Sequence, residues 1–215
     1  MESWPVFLTA ENVSAKVSVT TSCKYQLTNT LQTLNKAWIE IQDFGYTDAK
    51  GHGSWTLLTS RTLPPTIPGP TRALPLYETY QNASLANATL TEINDFIRVH
   101  ETQLKKLNIL HGLWVVLDTK GLESSSCVIV QQLFDEDLME LTDGFRALRI
   151  SLHDAWNCFA NLSLGNMGFE EWIDSSAGPQ EDGIFKGVGH GGGKYNSRKL
   201  KDAALQEARS LGHID

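Results

Sequence analysis

The residue types best suited to covalent chemistry are a histidine and a cysteine near each other, and a histidine followed by glycines. His153 and Cys158 are close enough in the chain to suggest a base and its nucleophile. On a helix, however, residues five apart do not face each other, so we expect a buried thiol beside a surface histidine. The run HGGG at His190–Gly193 has the composition of an esterase oxyanion-hole segment, but the chain contains no G-x-S-x-G nucleophile motif. The sequence therefore predicts no catalytic residues.

Motifs for phosphate or metal binding are incomplete as well. GGGK at Gly191–Lys194 would need a glycine in place of Val188 and a serine or threonine in place of Tyr195 to form a phosphate-binding loop. The histidines form neither an H-x-x-x-H nor an H-E-x-x-H pattern, and the acidic stretches lack the spacing of a calcium loop. We therefore expect no cofactor, no metal and no enzymatic activity.

The charge of the chain is uneven. Its formal net charge is −7, which argues against a surface that binds nucleic acid on all sides. Residues 186–215 nevertheless carry six basic and three acidic side chains. This end of the chain is predicted to contact an acidic partner. The basic residues proposed for this contact are Lys186, Lys194, Arg198, Lys199 and Lys201.

The cysteines and the apolar runs indicate a cellular compartment. Three widely spaced cysteines without a C-x-x-C motif favour a reducing environment over a disulfide framework. The opening residues lack the basic region and the apolar core of a secretory signal. No uncharged apolar run approaches the ~18 residues that a membrane span needs. We therefore expect a soluble intracellular protein that is not secreted.

The stretch from Ala15 to Trp38 changes its hydrophobic period in the middle. Apolar and polar residues alternate over Ala15–Thr21, as in a half-buried strand. From Leu27 to Ile41 the apolar residues recur in steps of three and four, as in an amphipathic helix. A second strand is predicted at Trp55–Leu63. We expect both strands in one sheet, with the helix packed across it and Trp38 buried.

A proline-rich loop follows the second strand, with five of the seven prolines between Pro64 and Pro75. Proline lacks the N–H that a central strand or a helix interior requires, so the segment is expected to be extended. Two interpretations remain open: the loop packs back on its own domain, or it inserts into a membrane or a neighbouring subunit. The residues proposed for self-association or membrane contact are Leu63, Pro64, Pro65, Ile67, Leu74, Leu76 and Tyr77.

The hydrophobic pattern of the remaining chain predicts further helices and a hairpin. The predicted elements are a helix within Ser84–Leu107 capped near Thr89 or Thr91, a hairpin of Gly112–Asp118 and Ser125–Phe134 around a TKGLES turn, a helix over Asp135–Leu162, and a short C-terminal helix. This order indicates a single α+β domain over residues 5–175, in which helices pack on a small twisted antiparallel sheet. Residues 176–215 are expected to form a flexible glycine-rich segment that ends in the basic helix.

The opening unit, AKVSVTTSCKYQLTNTLQTLNKAW, resembles the first strand and helix of rhabdovirus matrix proteins of the vesiculovirus type. Lys16, Val17 and Val19 match the strand, Tyr25 matches an aromatic residue in the turn, and Trp38 closes the helix at matching spacing. The likeness continues through the following glycine-rich turn and strand. The chain is similar to a divergent member of this family, such as one from a plant rhabdovirus.

The resemblance implies a structural protein of the virion. Such a protein would self-associate, coat the helical ribonucleoprotein, and link it to the inner leaflet of the envelope and to the glycoprotein tail during budding. The proline-rich loop would then serve self-association or membrane contact, and the basic C-terminal residues would meet the nucleoprotein or acidic lipid. It would lie beneath the viral envelope, in the host cytoplasm or in the nucleus, and would take no small-molecule substrate. The alternative is a cytosolic, non-enzymatic α+β adaptor or toxin-neutralising binding protein.

Overall fold

The computed structural model describes residues 2–11, 33–47, 52–63, 65–66, 70–71, 84–135, 137, 140–190, 196–211 and 213–214. The strands in these residues are β1 (Trp4–Leu8), β2 (Trp55–Leu58), β3 (Leu113–Leu117), β4 (Ser126–Asp135), β5 (Glu140–Ser151) and β6 (Phe185–Lys186). The helices are α1 (described over residues 33–41), α2 (Leu90–Val99), α3 (Glu101–Lys106), α4 (Thr119–Ser124), α5 (Leu152–Leu164) and α6 (Asn196–Ser210). The predicted α+β class is confirmed.

The strands form one mixed sheet in the order β2-β1-β3-β4-β5-β6. β1 pairs in parallel with both β2 and β3, whereas β3, β4 and β5 pair antiparallel, and β6 runs parallel to β5. The prediction of an antiparallel sheet holds only for its middle. The parallel part arises because helices lie between β1, β2 and β3 in the chain, and a crossover through a helix returns the next strand in the same direction.

Helices cover both faces of the sheet. On one face, α1 and α5 share a core with the strands through Leu34, Trp38 and Phe159. On the other face, α2 and α3 do so through Ile93 and Leu104. The connection after β1 and the connection before β3 therefore lie on opposite faces. In open α/β sheets, such a reversal leaves a crevice at the carboxyl ends of the two strands, where ligands commonly bind.

The predicted packing of the first helix is confirmed for residues 33–41, the part that the structure describes. Trp38 is 0% exposed and belongs to the same apolar core as Trp55. The indole Nε1–H of Trp55 donates to the carbonyl oxygen of Ile41 at 3.1 Å, which joins the end of α1 to β2. The strand predicted at Ala15–Thr21 lies outside the described residues. The described neighbour of β2 is β1, a strand that the sequence analysis did not predict, and β2 ends at Leu58 rather than at Leu63.

The helix predicted over Asp135–Leu162 is wrong in its first half. Residues 140–151 form β5, and a helix begins only at Leu152. The reason is visible in the run FRALRI, where Phe145 and Ala147 face one side of the sheet while Leu148 and Ile150 face the other. β4 lies alongside and hydrogen-bonds this segment, so cross-strand pairing outweighs its helical periodicity.

The other predicted elements between residues 84 and 135 are present. Thr89 caps α2 as one of the two predicted caps, and β3 pairs antiparallel with β4 as the predicted hairpin. The TKGLES segment is the short helix α4 rather than a turn, because the carboxylate of Asp118 caps it by accepting from the Gly121 N–H at 2.7 Å. No described helix is both long and apolar enough to cross a membrane.

The chain beyond residue 175, predicted as a glycine-rich segment with a basic helix, also contacts the rest of the molecule. β6 pairs with β5 through Phe185 and Lys186. The C-terminal helix is present as α6, and its Ala204 and Ala208 form a small core with Ile39 of α1. These described parts of residues 176–215 are therefore packed on the sheet and on α1.

Candidate functional site

A crevice of about 740 Å³ opens over the face of the sheet that also carries α2. Its floor is formed by Val116 of β3, Val128 of β4 and Ala147 of β5, each at most 3% exposed. These side chains share a face because Val116 lies opposite Val128 in the register, and side chains alternate along each strand. The volume lies within the range of roughly 300–1,000 Å³ that is typical of small-molecule sites.

The N-terminal turn of α2 forms one wall of the crevice. Thr89 Oγ1 accepts from the Glu92 N–H at 3.2 Å, and the Glu92 carboxylate accepts from the Thr89 N–H at 2.9 Å, which is a complete capping box. The Thr89 N–H and then the Arg61 guanidinium lower the pKa of Glu92 to about 2. The Asn87 N–H donates to the Thr9 carbonyl at 2.9 Å, so this wall is attached to the end of β1.

The opposite wall is the turn that leads into β6. The Ile184 N–H donates to Asp182 Oδ1 at 3.0 Å, and the Gln180 N–H donates to the Ile184 carbonyl at 3.0 Å. Gly183 has a φ of +75°, a left-handed conformation that favours glycine. Ile184 is buried and adds apolar surface beside the floor. Both walls are thus held by local hydrogen bonds.

An ion pair closes one end of the crevice. Arg149 Nη2 lies 2.6 Å from Asp118 Oδ2, and Arg149 Nη1 lies 3.0 Å from Asp118 Oδ1. Arg149 Nη1 also approaches the Ser126 hydroxyl at 3.4 Å. Burial by itself would raise the pKa of Asp118, but the Arg149 guanidinium and the Gly121 N–H together bring it below its usual value. The side chains of Asp118 and Arg149 are only 30% and 15% exposed, so this pair is well shielded from solvent.

Two charged side chains at the end of the crevice formed by Asp118 and Arg149 have donors without a close acceptor among the described residues. Arg149 Nε is buried and has no hydrogen-bond partner within the described structure. Lys120 Nζ lies 3.7 Å from Asp182 Oδ2, a separation too long for a good hydrogen bond, and its side chain is 67% exposed. A buried donor without an acceptor is unfavourable, and ordered water or a ligand is its usual partner.

The lining groups suit binding better than proton transfer. No histidine or cysteine is found among the described residues that line the crevice. Cys127 and Cys158 belong to the core on the other face of the sheet, and burial raises the pKa of both thiols, that of Cys127 to about 12. In the part of the chain that the structure describes, no group of three or more His, Cys, Asp or Glu could hold a metal ion.

A second surface feature is the far end of the hairpin formed by β4 and β5. Residues 133–135 and 140–144 extend past the end of β3, which pairs with β4 only as far as Gln131; we call them the hairpin arm. Leu133 is 42% exposed and Phe134 is 51% exposed. The sequence from residue 133 to 144 contains five carboxylate side chains and no basic one. The Asp143 carboxylate pairs with Arg98 of α2, and 79% of the Asp143 side chain is exposed.

The loop predicted for self-association is described only in part. Leu63 is buried, whereas Pro65 is exposed. The other predicted loop residues, Pro64, Ile67, Leu74, Leu76 and Tyr77, lie outside the described residues. The predicted contact therefore stays a prediction, although Leu63 itself packs in the core with Phe7.

The predicted basic contact residues are not equivalent in the structure. Arg198 and Lys199 are exposed on α6, and Lys186 is exposed beside Asp174 at 3.6 Å. Lys201 is only 9% exposed and donates from Nζ to the Glu40 carbonyl at 2.6 Å, and burial lowers its pKa. Lys201 therefore links α6 to α1 through this hydrogen bond and is not exposed to a partner. Lys194 lies outside the described residues, and none of the described members of the set lines the crevice.

Sequence reasoning missed the crevice, although one signal was present. The run LWVVL at β3 is apolar throughout, which is typical of a strand covered on both faces, and Asp118 follows it directly. An acidic residue at the carboxyl end of such a strand indicates a site at the sheet edge. The partner Arg149 could not be found because the sequence placed it in a helix.

The chain was compared with known families, curated proteins and solved structures. Residues 46–188 match the family DUF6924, which is described as a domain of unknown function. The chain belongs to this family. The matched range contains every residue that lines the crevice except Thr9, and it also contains the hairpin arm. Neither a curated protein nor a solved structure matches the chain at a significant level.

Proposed function

We propose that this member of the DUF6924 family is a non-enzymatic binding protein that holds a small ligand in the crevice. The observation that carries the proposal is the arrangement of an apolar floor between two hydrogen-bonded walls, at the carboxyl edge of the parallel strands. The proposed function belongs to the alternative class considered from the sequence, that of non-enzymatic binding proteins, but with a small molecule rather than a protein as the ligand.

The lining residues support binding without chemical conversion. The carboxylate of Asp118 is engaged by Arg149 and Gly121, so it is not available as a base. The walls are preorganised by the capping box at Thr89 and the turn at Gly183, which reduces the ordering cost of binding. A preformed crevice on rigid elements is the expected form of a small-ligand site.

The proposal is tested with N-phenyl-1-naphthylamine, an uncharged aromatic probe whose fluorescence rises in apolar surroundings. We expect saturable binding with one site per chain. Ala147→Phe places a large side chain on the floor, and Thr91→Trp places one on the exposed rim of the α2 wall. Each variant is expected to lower the affinity at least tenfold, a change of about 1.4 kcal/mol.

The matched control is Ala203→Phe, which makes the same substitution at an exposed position of α6. It is expected to leave the affinity unchanged. Near-ultraviolet circular dichroism of every variant checks the fold, and Thr91→Trp keeps the test decisive if Ala147→Phe does not fold. Probe binding that is absent, or that survives both blocking variants in folded protein, would rule the proposal out.

The assignment to viral matrix proteins stays a prediction. Its central strand, Ala15–Thr21, lies outside the described residues, while the buried Trp38 is equally expected of any helix packed on a sheet. A matrix protein should form filaments or sheets at low salt, visible by electron microscopy. Neutralising Arg198 and Lys199, which are exposed, should weaken binding to acidic liposomes. A protein that stays monomeric at all concentrations would exclude this assignment.

A further inference from the structure

We propose that the ligand of the crevice is a small organic acid, with an apolar body on the floor and an anionic group at the end formed by Arg149 and Lys120. This inference rests on the proposed function and names the ligand class of the same site. It follows from the hydrogen-bonding partners of the charged side chains at that end.

Both carboxylate oxygens of Asp118, the more buried acceptor at this end, are occupied. Asp118 Oδ1 accepts from the Gly121 N–H at 2.7 Å and from Arg149 Nη1 at 3.0 Å, and Asp118 Oδ2 accepts from Arg149 Nη2 at 2.6 Å. Asp182 Oδ1 accepts from the Ile184 N–H, and Asp182 Oδ2 lies 3.7 Å from Lys120 Nζ, so Lys120 balances its charge without a short hydrogen bond. A cationic ligand would therefore have to displace existing hydrogen bonds to reach Asp118.

The donors at this end are still available. Arg149 uses both terminal nitrogens, but its buried Nε–H has no acceptor within the described structure. The Lys120 ammonium has three donors and one carboxylate at 3.7 Å. An oxyanion at this end would meet positively charged side chains with unused donors, and hydrogen bonds to charged donors are among the strongest in proteins.

The rest of the lining fits an apolar body. Val116, Val128, Ala147 and Ile184 line the crevice with apolar atoms, and the partly buried Phe145 adds an aromatic ring. Burying the apolar area that the crevice still exposes contributes about 25 cal/mol for each Å², which favours a ligand with an apolar body over a small inorganic anion. An organic acid meets both conditions, because it combines an anionic group for this end with an apolar body for the floor.

The test compares two probes with the same aromatic body. 1-Anilinonaphthalene-8-sulfonate carries an anionic sulfonate, and N-phenyl-1-naphthylamine lacks it. Two variants change the charge at the proposed anionic end in opposite directions. Lys120→Gln removes a positive charge, and Asp182→Asn removes a negative charge while keeping an acceptor for the Ile184 N–H. Lys199→Gln, on the exposed surface of α6, controls for the net charge of the chain.

We expect the affinity for the sulfonate probe to fall about threefold in Lys120→Gln and to rise about threefold in Asp182→Asn at low salt. A change of about this size corresponds to the Coulomb energy in water between two unit charges a few Å apart. Both effects should shrink as the ionic strength rises. The affinity for the uncharged probe should change less than twofold in either variant, and Lys199→Gln should affect neither probe.

The outcomes separate this inference from the proposed function. Saturable binding of the uncharged probe with no opposite response of the sulfonate probe would overturn the ligand class and leave the crevice as a binding site. A reversed response, with Asp182→Asn weakening the sulfonate probe, would also overturn it, because removing a negative charge beside a bound sulfonate should strengthen its binding. The absence of saturable binding by both probes would overturn the proposed function and this inference with it.

Discussion

The crevice and the hairpin arm are built on the same two strands, β4 and β5, but they differ in how far other elements cover them. At the crevice, the strands lie beside β3 and beneath α2, so Val128 and Ala147 are at most 3% exposed. In the arm, past the end of β3, Phe134 on the same strand β4 is 51% exposed. Burial along a strand therefore depends on its neighbours and not on the strand's own residues.

The same contrast applies to charge. Asp118 and Arg149 form a two-point ion pair with side chains 30% and 15% exposed, in which the carboxylate also caps α4. Asp143 and Arg98 pair at the arm with side chains 79% and 44% exposed. Solvent screens the pair of Asp143 and Arg98, so removing one of its charges should change the free energy of unfolding little. Removing one charge of the Asp118–Arg149 pair should cost more, because the remaining charge would stay shielded from solvent without a partner.

The largest effect is expected from removing one charge of the crevice pair. Asp118→Asn leaves Arg149 without its partner and should lower the free energy of unfolding by about 2–4 kcal/mol. Asp143→Asn makes the same change at the arm and should cost below about 0.5 kcal/mol. Chemical denaturation of both variants measures the difference. Equal costs at the two sites would mean that burial does not separate these pairs.

A somewhat smaller effect is expected for the apolar side chains. Val116→Ala on the floor removes buried methyl groups from a packed surface and should cost about 2 kcal/mol. Phe134→Ala removes a larger side chain that is half in water, and should cost less than about 1 kcal/mol. The comparison is made by thermal and chemical unfolding of the two variants. A larger loss for Phe134→Ala would show that the arm is packed against another surface in solution.

The pH dependence of stability offers a finer comparison at Asp118. Its pKa is lowered in the folded protein relative to the usual ~3.9 of the unfolded chain. Its stabilising contribution is therefore fully present above pH ~4 and is lost as the pH falls through the folded pKa below that value. Unfolding free energies of the wild type and Asp118→Asn should accordingly differ most above pH 4 and converge toward pH 2. Curves that stay parallel over this range would contradict the role of the ion pair.

The smallest effect is expected on ligand binding when the arm is changed. Leu133→Ser and Phe134→Ser alter exposed side chains outside the crevice lining. The dissociation constant of N-phenyl-1-naphthylamine should therefore remain within twofold of the wild-type value in fluorescence titrations. A larger change would show that the two regions are coupled through β4 and β5.

The sequence predictions were correct where the deciding interactions are close together in the chain, and wrong where they join distant segments. The cap at Thr89 was predictable because a capping box is complete within four residues. The burial of Trp38 was predictable from helical periodicity, and the hairpin of β3 and β4 from two apolar runs close together in the chain. β5 was missed because its apolar residues also fit a helix, and only the adjacent β4 decides between the two.

The candidate site depended almost entirely on tertiary structure. Asp118 and Arg149 are separated by 31 positions, and the residues of the two walls come from segments still further apart. Their meeting requires the strand order β2-β1-β3-β4-β5-β6, which follows from pairing between strands and not from any local pattern. By itself, the sequence determined the cap at Thr89, the apolar strands β3 and β4 and the α+β class, because these depend on spacing along the chain. The position of the crevice and the pairing of its charges were decided only when packing brought distant segments together.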